Sequence, residues 1–423
     1  MEVVLQLLAG LLNFINTLAL IISLYFLLLA VFSLFIKQRP KLHSGERSFA
    51  VLIAAHNEAR VIQNTIEACF DLNYPKDLFD VYVVADNCTD DTALVARGAG
   101  AWVWERTNPE AGGKAYALQW FFDRLFALEK KYRTVVILDA DNIIHPEFLT
   151  EMNHKLNQGF QVAQGYLDSK NPYDSPISVF NSLEFWITDR MGKLSRDNLG
   201  LSSQLGGTGF VVDTDILQQF GWDPDCLAED LEFTCKLCLH GYKVGWAHRA
   251  IVYDEKPLTF KQSWRQRKRW MQGYADVFTK YFVKLFKKAL QTGSPVLADC
   301  AIYILQPVTL IIMGSSAALG LAGNFKALLE TIANPGLSPA GGLSLRMILL
   351  TLVYIIQLFM VPIVLSQDGK LNFKSLLAYL FYPLYSITWV PIAILGIIHR
   401  KRKVWVHTEH TRAIKIHEID SKK

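Results

Sequence analysis

The chain of 423 residues is 51% hydrophobic with a mean hydropathy of +0.19, too apolar for an ordinary soluble protein of that length, so a membrane is implied. Its net charge of +4 is small, and no basic stripe alternates with aromatic residues, which argues against nucleic acid as a partner. The six cysteines are scattered, and all but Cys300 fall in a stretch read below as cytosolic, where thiols stay reduced, so no disulfide is expected.

Residues 3 to 36 form an apolar run long enough to span a bilayer, which needs about 20 helical residues. A basic leader region and a small-residue cleavage site are both missing, so residues 1–40 read as an anchor and not as a signal peptide. The basic "KQRPKL" that follows marks the cytoplasmic side and puts the N-terminus outside. From about 47 to 255 the texture is soluble α/β. The runs "FAVLIAAHNE", "FDVYVVADN", "YRTVVILDADN" and "YKVGWAHRAIVYDE" are β-rich and end in polar residues, with helical patterns such as 58 to 70 and 113 to 131 between them. That alternation predicts a mostly parallel sheet with ligands beyond the carboxyl ends of its strands, in a domain of residues 41–260. "LEFTCKLCLHGY" reads as a helix burying one face, with Cys235 and Cys238 in its core and not on zinc, since no second CxxC or HxxxH follows.

Residues 261–293 hold "SWRQRKRWMQG" and then "YADVFTKYFVKLFKKALQ". The latter places Val277, Tyr281, Leu285 and Ala289 on one face and Lys280, Lys284 and Lys287 on the other, an interfacial amphipathic pattern. Apolar segments at roughly 297 to 322, 345 to 366 and 374 to 398 make residues 294–400 a membrane region, and residues 401–423 form a basic tail. Three full spans would put that tail outside, against the positive-inside rule. Either it lies outside or one segment, such as the first with its Pro307, bends back.

Chemistry gathers at the strand ends. "VVILDADN" sets Asp139 and Asp141 two residues apart at a strand mouth, a pair of hard carboxylates suited to Mg²⁺ or Mn²⁺ with room for phosphate oxygens. Asp86 ends the second strand, where it serves either as a turn acid or as an acceptor for a nucleotide's base or ribose. "NPEAGGKAYAL" offers a glycine turn and Lys114 at a helix start, a setting that favours phosphate. "LGGTGFVV" admits close backbone approach or a tight turn, and "CLAEDLEF" places Glu229 and Asp230 at a helix start, as a cap or as a proton acceptor.

Taken in order, AHNE, Asp86, GGK, DAD, GGTG, AED and QRKRW resemble the membrane-integrated family 2 glycosyltransferases, the cellulose, chitin, hyaluronan and poly-N-acetylglucosamine synthases, over roughly residues 47 to 275. The resemblance implies a cytosolic glycosyltransferase A-type nucleotide-sugar domain between transmembrane helices of the plasma membrane. It implies nucleotide-sugar contacts at Ala54, His56, Glu58, Asp86, Lys114, Asp139, Gln266 and Arg269, and metal at Asp139 and Asp141. Asp230 would be the general base, Arg269 would hold the leaving diphosphate, and Trp270, Gly207 and Glu229 would meet the acceptor, while Trp264 and Arg265 suit a lipid-interface belt. The partners would be a UDP-sugar, a glycan or lipid acceptor and the bilayer. GGTG departs from the Phe-Phe-Cys-Gly-Ser form of cellulose synthases, and residues 401–423 leave no room for an attached regulatory domain. The membrane part is smaller than in the cellulose or hyaluronan enzymes, which argues against a self-contained secretion channel, and the sequence names no export partner.

The expected activity is inverting transfer of a hexosyl unit from a UDP-sugar to a growing β-linked polysaccharide, with single transfer to a lipid as the alternative. A membrane scaffold or transporter is disfavoured because the apolar segments carry no acid or base chain beyond Asp299, and a phosphatase because "DADNI" lacks the downstream pattern.

Overall fold

The computed structural model describes residues 2–37, 45–223, 225–333, 345–402 and 412–420. Most of the basic flank after the anchor and most of the basic tail lie outside these.

Eight strands form one sheet: β1 Phe49–Ala55, β2 Phe79–Asp86, β3 Trp102–Arg106, β4 Thr134–Asp139, β5 Ile143–Ile144, β6 Val162–Ser169, β7 Phe210–Asp213 and β8 Val244–Asp254. Their order is β3-β2-β1-β4-β7-β6-β8-β5. The sheet is mixed: β1 to β4 are mutually parallel, β7 runs antiparallel to both β4 and β6, β6 and β8 are parallel, and β5 is antiparallel to β8. This pattern places the carboxyl ends of β1, β2, β4, β6 and β8 on one edge, together with the start of β7 and the glycine-rich loop before it. β1, β2, β4 and β8 are the four expected runs. β6 escaped the pattern because all eight of its residues are buried, so "VAQGYLDS" has no alternation to see, and a bulge follows Gly165.

QRKRW lies on a single helix, Phe260–Thr292, opened by a capping box between Thr259 and Gln262 and ended by Gly293 in the left-handed region. The face of Val277, Tyr281, Leu285 and Ala289, expected to meet lipid, is instead covered by protein: it packs with Cys235, Cys238 and Cys300. The amphipathic period records a protein contact here, and the apolar groups left exposed on the flank are Val283, Phe286 and Leu290. Cys235 Sγ lies 3.9 Å from Cys300 Sγ, in keeping with the helix-core reading of the CxxC.

Among the described residues two helices are long and apolar enough to cross a membrane, within Gly10–Phe32 and Ile348–Gln367, or up to four if each bent pair counts as one. The pairs are Pro295–Ile304 with Gln306–Gly320, bent by 66°, and Phe373–Ser386 with Trp389–Ile398, bent by 42°. The first segment does break beside Pro307. The last segment, however, begins, bends and ends against the α/β unit. Before it, Asp368 pairs with Arg190 and lies 3.3 Å from His248; at its bend Tyr385 bonds Ser263 at 2.6 Å; after it, the His399 carbonyl accepts from Gln272 at 2.9 Å. Residues 412–420 return to the same unit, where Ile414 and Ile419 enter the sheet's core and the Arg412 N–H donates to Glu255 at 3.0 Å.

Candidate active site

Strands β1 and β2 each end in an asparagine in the left-handed region, Asn57 (φ 55°) and Asn87 (φ 51°), a conformation asparagine tolerates better than most residues. The Asn57 carboxamide accepts from Thr89 N–H and that of Asn87 from Asn108 N–H, both at 2.7 Å, so each turn is tied to a neighbouring loop. Between them, His56 Nδ1 sits 2.7 Å from the Asp86 carbonyl oxygen. The Asp86 carboxylate is buried, paired with Arg106 on one oxygen, and accepts from Gly113 N–H at 2.9 Å on the other. Asp86 therefore fastens the GGK loop as well as lining the cleft. That leaves Lys114 poised across the edge, bonded to Asp139 and, at 2.7 Å, to the Gly207 carbonyl.

Asp139 closes β4, with its side chain 39% exposed to the cleft. Asp141, two residues on, is buried. Its carboxylate accepts from Glu255 N–H at 3.0 Å and lies 3.6 Å from Lys170. Asp254, at the end of β8, faces the same pair. Its carboxyl is pushed up from the ordinary range, first by burial and, against Lys256, also by the charges of Asp141 and Asp139. Among the described residues no three metal-binding side chains converge as a preformed site. Two hard carboxylates with excess negative charge beside them suit a divalent cation whose remaining positions are filled by phosphate and water.

The loop before β7 supplies Gly207 and Thr208. The Thr208 hydroxyl accepts from Asp139 N–H at 2.9 Å. Gly207 has φ +81°, and a Cβ there would stand 3.8 Å from Asp230 Oδ2, so the backbone conformation, not crowding, selects glycine. Glu229 and Asp230 open the helix Glu229–Leu239, and Asp230 Oδ1 accepts from Leu231 N–H at 2.8 Å. Burial pushes both carboxyls up; for Glu229 the neighbouring Asp230 charge adds to it, while Lys114 and Arg269 oppose. Gly273 brings the QRKRW helix onto this helix start, since a Cβ there would meet Ala228 Cβ at 2.6 Å. One turn away, Trp270 meets Phe185 edge-on with ring centres 5.9 Å apart. Trp264 packs on Phe260 instead, away from the cleft.

All of these predicted site residues, from Ala54, His56 and Glu58 through Asp141 to Gln266, Arg269 and Trp270, line one continuous cavity of about 920 Å³. It runs on between the apolar helices to Phe26, Leu310 and Leu358. Sequence reasoning missed Asp254, Lys256, Lys193, Glu184 and Phe185 on its wall. The acidic "YDE" at the end of β8 was a signal for Asp254; the others carry none.

A model of the glycosyltransferase-like family 2 matches residues 46–273, more than half of the chain. The chain belongs to glycosyltransferase family 2. The transferase is 31% identical to a probable glycosyltransferase of Bacillus subtilis over 56% of this chain and 58% of that protein's length. It is 25% identical to the poly-β-1,6-N-acetyl-D-glucosamine synthase of Staphylococcus epidermidis over 65% of this chain and 68% of that one. With the β-monoglucosyldiacylglycerol synthase of a Nostoc species it shares 24% identity over 86% of this chain and 76% of the relative. In fold it is similar to a mannosyltransferase of Pyrobaculum calidifontis, solved with GDP-mannose and Mn²⁺, at a TM-score of 0.56 and 18% identity over 92% of this chain and 99% of that one.

Proposed function

We propose that this transferase moves a hexosyl unit from a UDP-sugar, with inversion, to a hydroxyl of a growing β-linked glycan at the cytoplasmic face of the plasma membrane. The observation that carries the reading is the single cavity in which a strand-edge lysine and carboxylates, a half-buried carboxylate pair and an Arg-Trp step open toward apolar helices. Lys114 and Arg269 receive the diphosphate, with His56, Glu58, Asp86 and Gln266 lining the nucleotide side. Asp230 takes the proton of the acceptor hydroxyl as its oxygen bonds to the sugar's anomeric carbon. The bond from that carbon to the diphosphate breaks on the opposite side, and its electrons leave with the UDP. Asp139 and Asp141 would hold Mg²⁺ or Mn²⁺, which, when bound, neutralises charge on the diphosphate. Trp270 offers an apolar ring face to the acceptor pyranose.

A lipid acceptor is the second reading, favoured by the membrane end of the cavity. There several polar side chains are already satisfied: Tyr25 bonds Asp299, Gln357 donates to the Ser23 carbonyl at 3.0 Å and Tyr379 to that of Leu358 at 2.8 Å. The apolar side chains around them, Phe26, Leu29, Met313 and Val361, suit an acyl chain. The named products of the relatives, a polysaccharide and a glucosyl lipid, cover both readings. Placement of the last bent pair along the interface without crossing gives three crossings and keeps the tail on the cytoplasmic side, as its basic charge requires.

The test is purified protein in nanodiscs with a panel of UDP-sugars and Mn²⁺. UDP release with one sugar is expected, and a product of many units supports the polymer, a single-sugar lipid the alternative; no UDP release with any sugar removes the reading. The raised carboxyls set the pH response. Asp230 must be ionised to act, so activity is lost as pH falls through its raised value, above the ordinary carboxylate range. Activity that holds until the ordinary carboxylate range is reached sinks the assignment of Asp230 as the base.

A further inference from the structure

The helix Pro176–Ile187 contributes a carboxylate, Glu184, to the cavity wall, and nothing in the transfer reaction above uses it. The Trp389 side chain acts on this carboxyl as a hydrogen-bond donor, while one of its oxygens, Oε2, is buried with no partner of its own. Near it stands Arg267, which follows Gln266 and does not line the cavity. Arg267 is wholly buried, with its guanidinium 4.2 Å from the Tyr385 ring centre and 4.9 Å from that of Trp389. Its Nη1 donates to the Thr388 hydroxyl at 2.8 Å, while Nε and Nη2 are buried and donate to nothing. The positive charges of Arg267 and Lys256 act on Glu184, yet carboxylate and guanidinium do not close a direct ion pair among the described residues. Burial outweighs both cations and lifts the Glu184 carboxyl to about 7.

Orphaned buried polar atoms cost stability and persist where a ligand completes them. The ligand here is not the donor. A nucleoside diphosphate is anionic and would be repelled by a carboxylate, and the cations placed to receive it are Lys114 at the strand edge and Arg269 on the QRKRW helix. A neutral, hydroxyl-rich group has the complementary chemistry, because a hydroxyl donates to the carboxylate and carries no charge for it to repel. The location agrees: Phe185, the next residue, packs against Trp270, and the neighbouring wall is Tyr382, Ser386 and Trp389 of the bent pair. The scaffold is tied down, since Asn181 of the same helix donates to Ser263 at 3.3 Å and to Tyr385 at 3.2 Å.

Resting on the proposed function, we infer that Glu184, backed by Arg267, is the acceptor clamp, binding the hydroxyls of a polyol head group beside Trp270. Both a glycan end and the glycerol head of a lipid present that chemistry. The experiment uses the full chain in nanodiscs with the UDP-sugar that the wild type turns over. UDP release to water is measured without acceptor, and transfer is then followed against titrated N-acetylglucosamine oligomers in one arm and dioctanoylglycerol in the other. Glu184→Gln is expected to raise the acceptor KM about tenfold, as for loss of one charge-assisted hydrogen bond, with hydrolytic UDP release within about twofold of wild type. Glu184→Asp, which keeps the charge, recovers part of the loss and serves if the first variant does not fold. The arm that shows the KM rise names the source of the head group. An unchanged acceptor KM in both arms, or hydrolysis falling in step with transfer, overturns the clamp and leaves Glu184 a structural partner of Arg267. Absence of UDP release by the wild type would remove the functional reading itself, before any variant is compared.

Discussion

Asp230→Asn is expected to lower the transfer rate by roughly 10²–10⁴-fold while UDP-sugar affinity and thermal unfolding stay near wild type. The substitution is conservative in shape. Its Oδ1 can still accept from Leu231 N–H, and its carbonyl from the Thr234 hydroxyl, so the local structure survives. What disappears is the ability to hold a proton. Glu229 is adjacent and its carboxyl is likewise pushed up by burial, so a small residual rate through it is expected, and the double variant with Glu229→Gln should abolish even that. The decisive comparison sets single-turnover transfer against equilibrium donor binding. If binding and melting temperature fall together with the rate, Asp230 is a structural cap and the base lies elsewhere.

That Asp230 could be named from sequence at all reflects where function sits in this fold. Strand ends and the loops after them carry polar residues that no core requires, so AHNE, DAD, GGTG and AED stood out against buried runs. The mixed sheet then brought them to one edge through a reversal at β7 that a four-residue strand, "FVVD", could not announce. Asp86 was legible as a strand-end acid, but its grip on Gly113 and Arg106 depends on β3, whose exposed and half-buried residues mask its pattern. Glu184 was not legible. It lies inside an ordinary amphipathic helix, and its meaning comes from Arg267 and from a bend near residue 388 some two hundred residues away. The stripe of Val277, Tyr281, Leu285 and Ala289 was read with the right period and the wrong partner, because periodicity reports that a face is covered without saying by what.

The same limit applies within QRKRW, where two arginines two residues apart have opposite fates. Arg267 points into an aromatic box and is wholly buried, whereas Arg269 lines the cavity and forms no ion pair among the described residues. An uncommitted guanidinium facing a cleft that also holds Lys114 is available to the charge that develops on a departing diphosphate. Its planar fork can make two parallel bonds to phosphate oxygens. Such a contact strengthens as charge builds, so its loss should fall on the chemical step more than on binding. Arg269→Ala is therefore expected to cut kcat by roughly 10²–10³-fold with a smaller effect on donor affinity, and Arg269→Lys to restore only part, because an ammonium keeps the charge and loses the fork. Arg265, exposed and off the cavity, is the control, and its alanine variant should stay within about twofold of wild type in kcat. Equal losses in Arg265→Ala and Arg269→Ala would mean that the motif's arginines serve the lipid interface, and an unchanged kcat in Arg269→Ala would strip it of the leaving-group role.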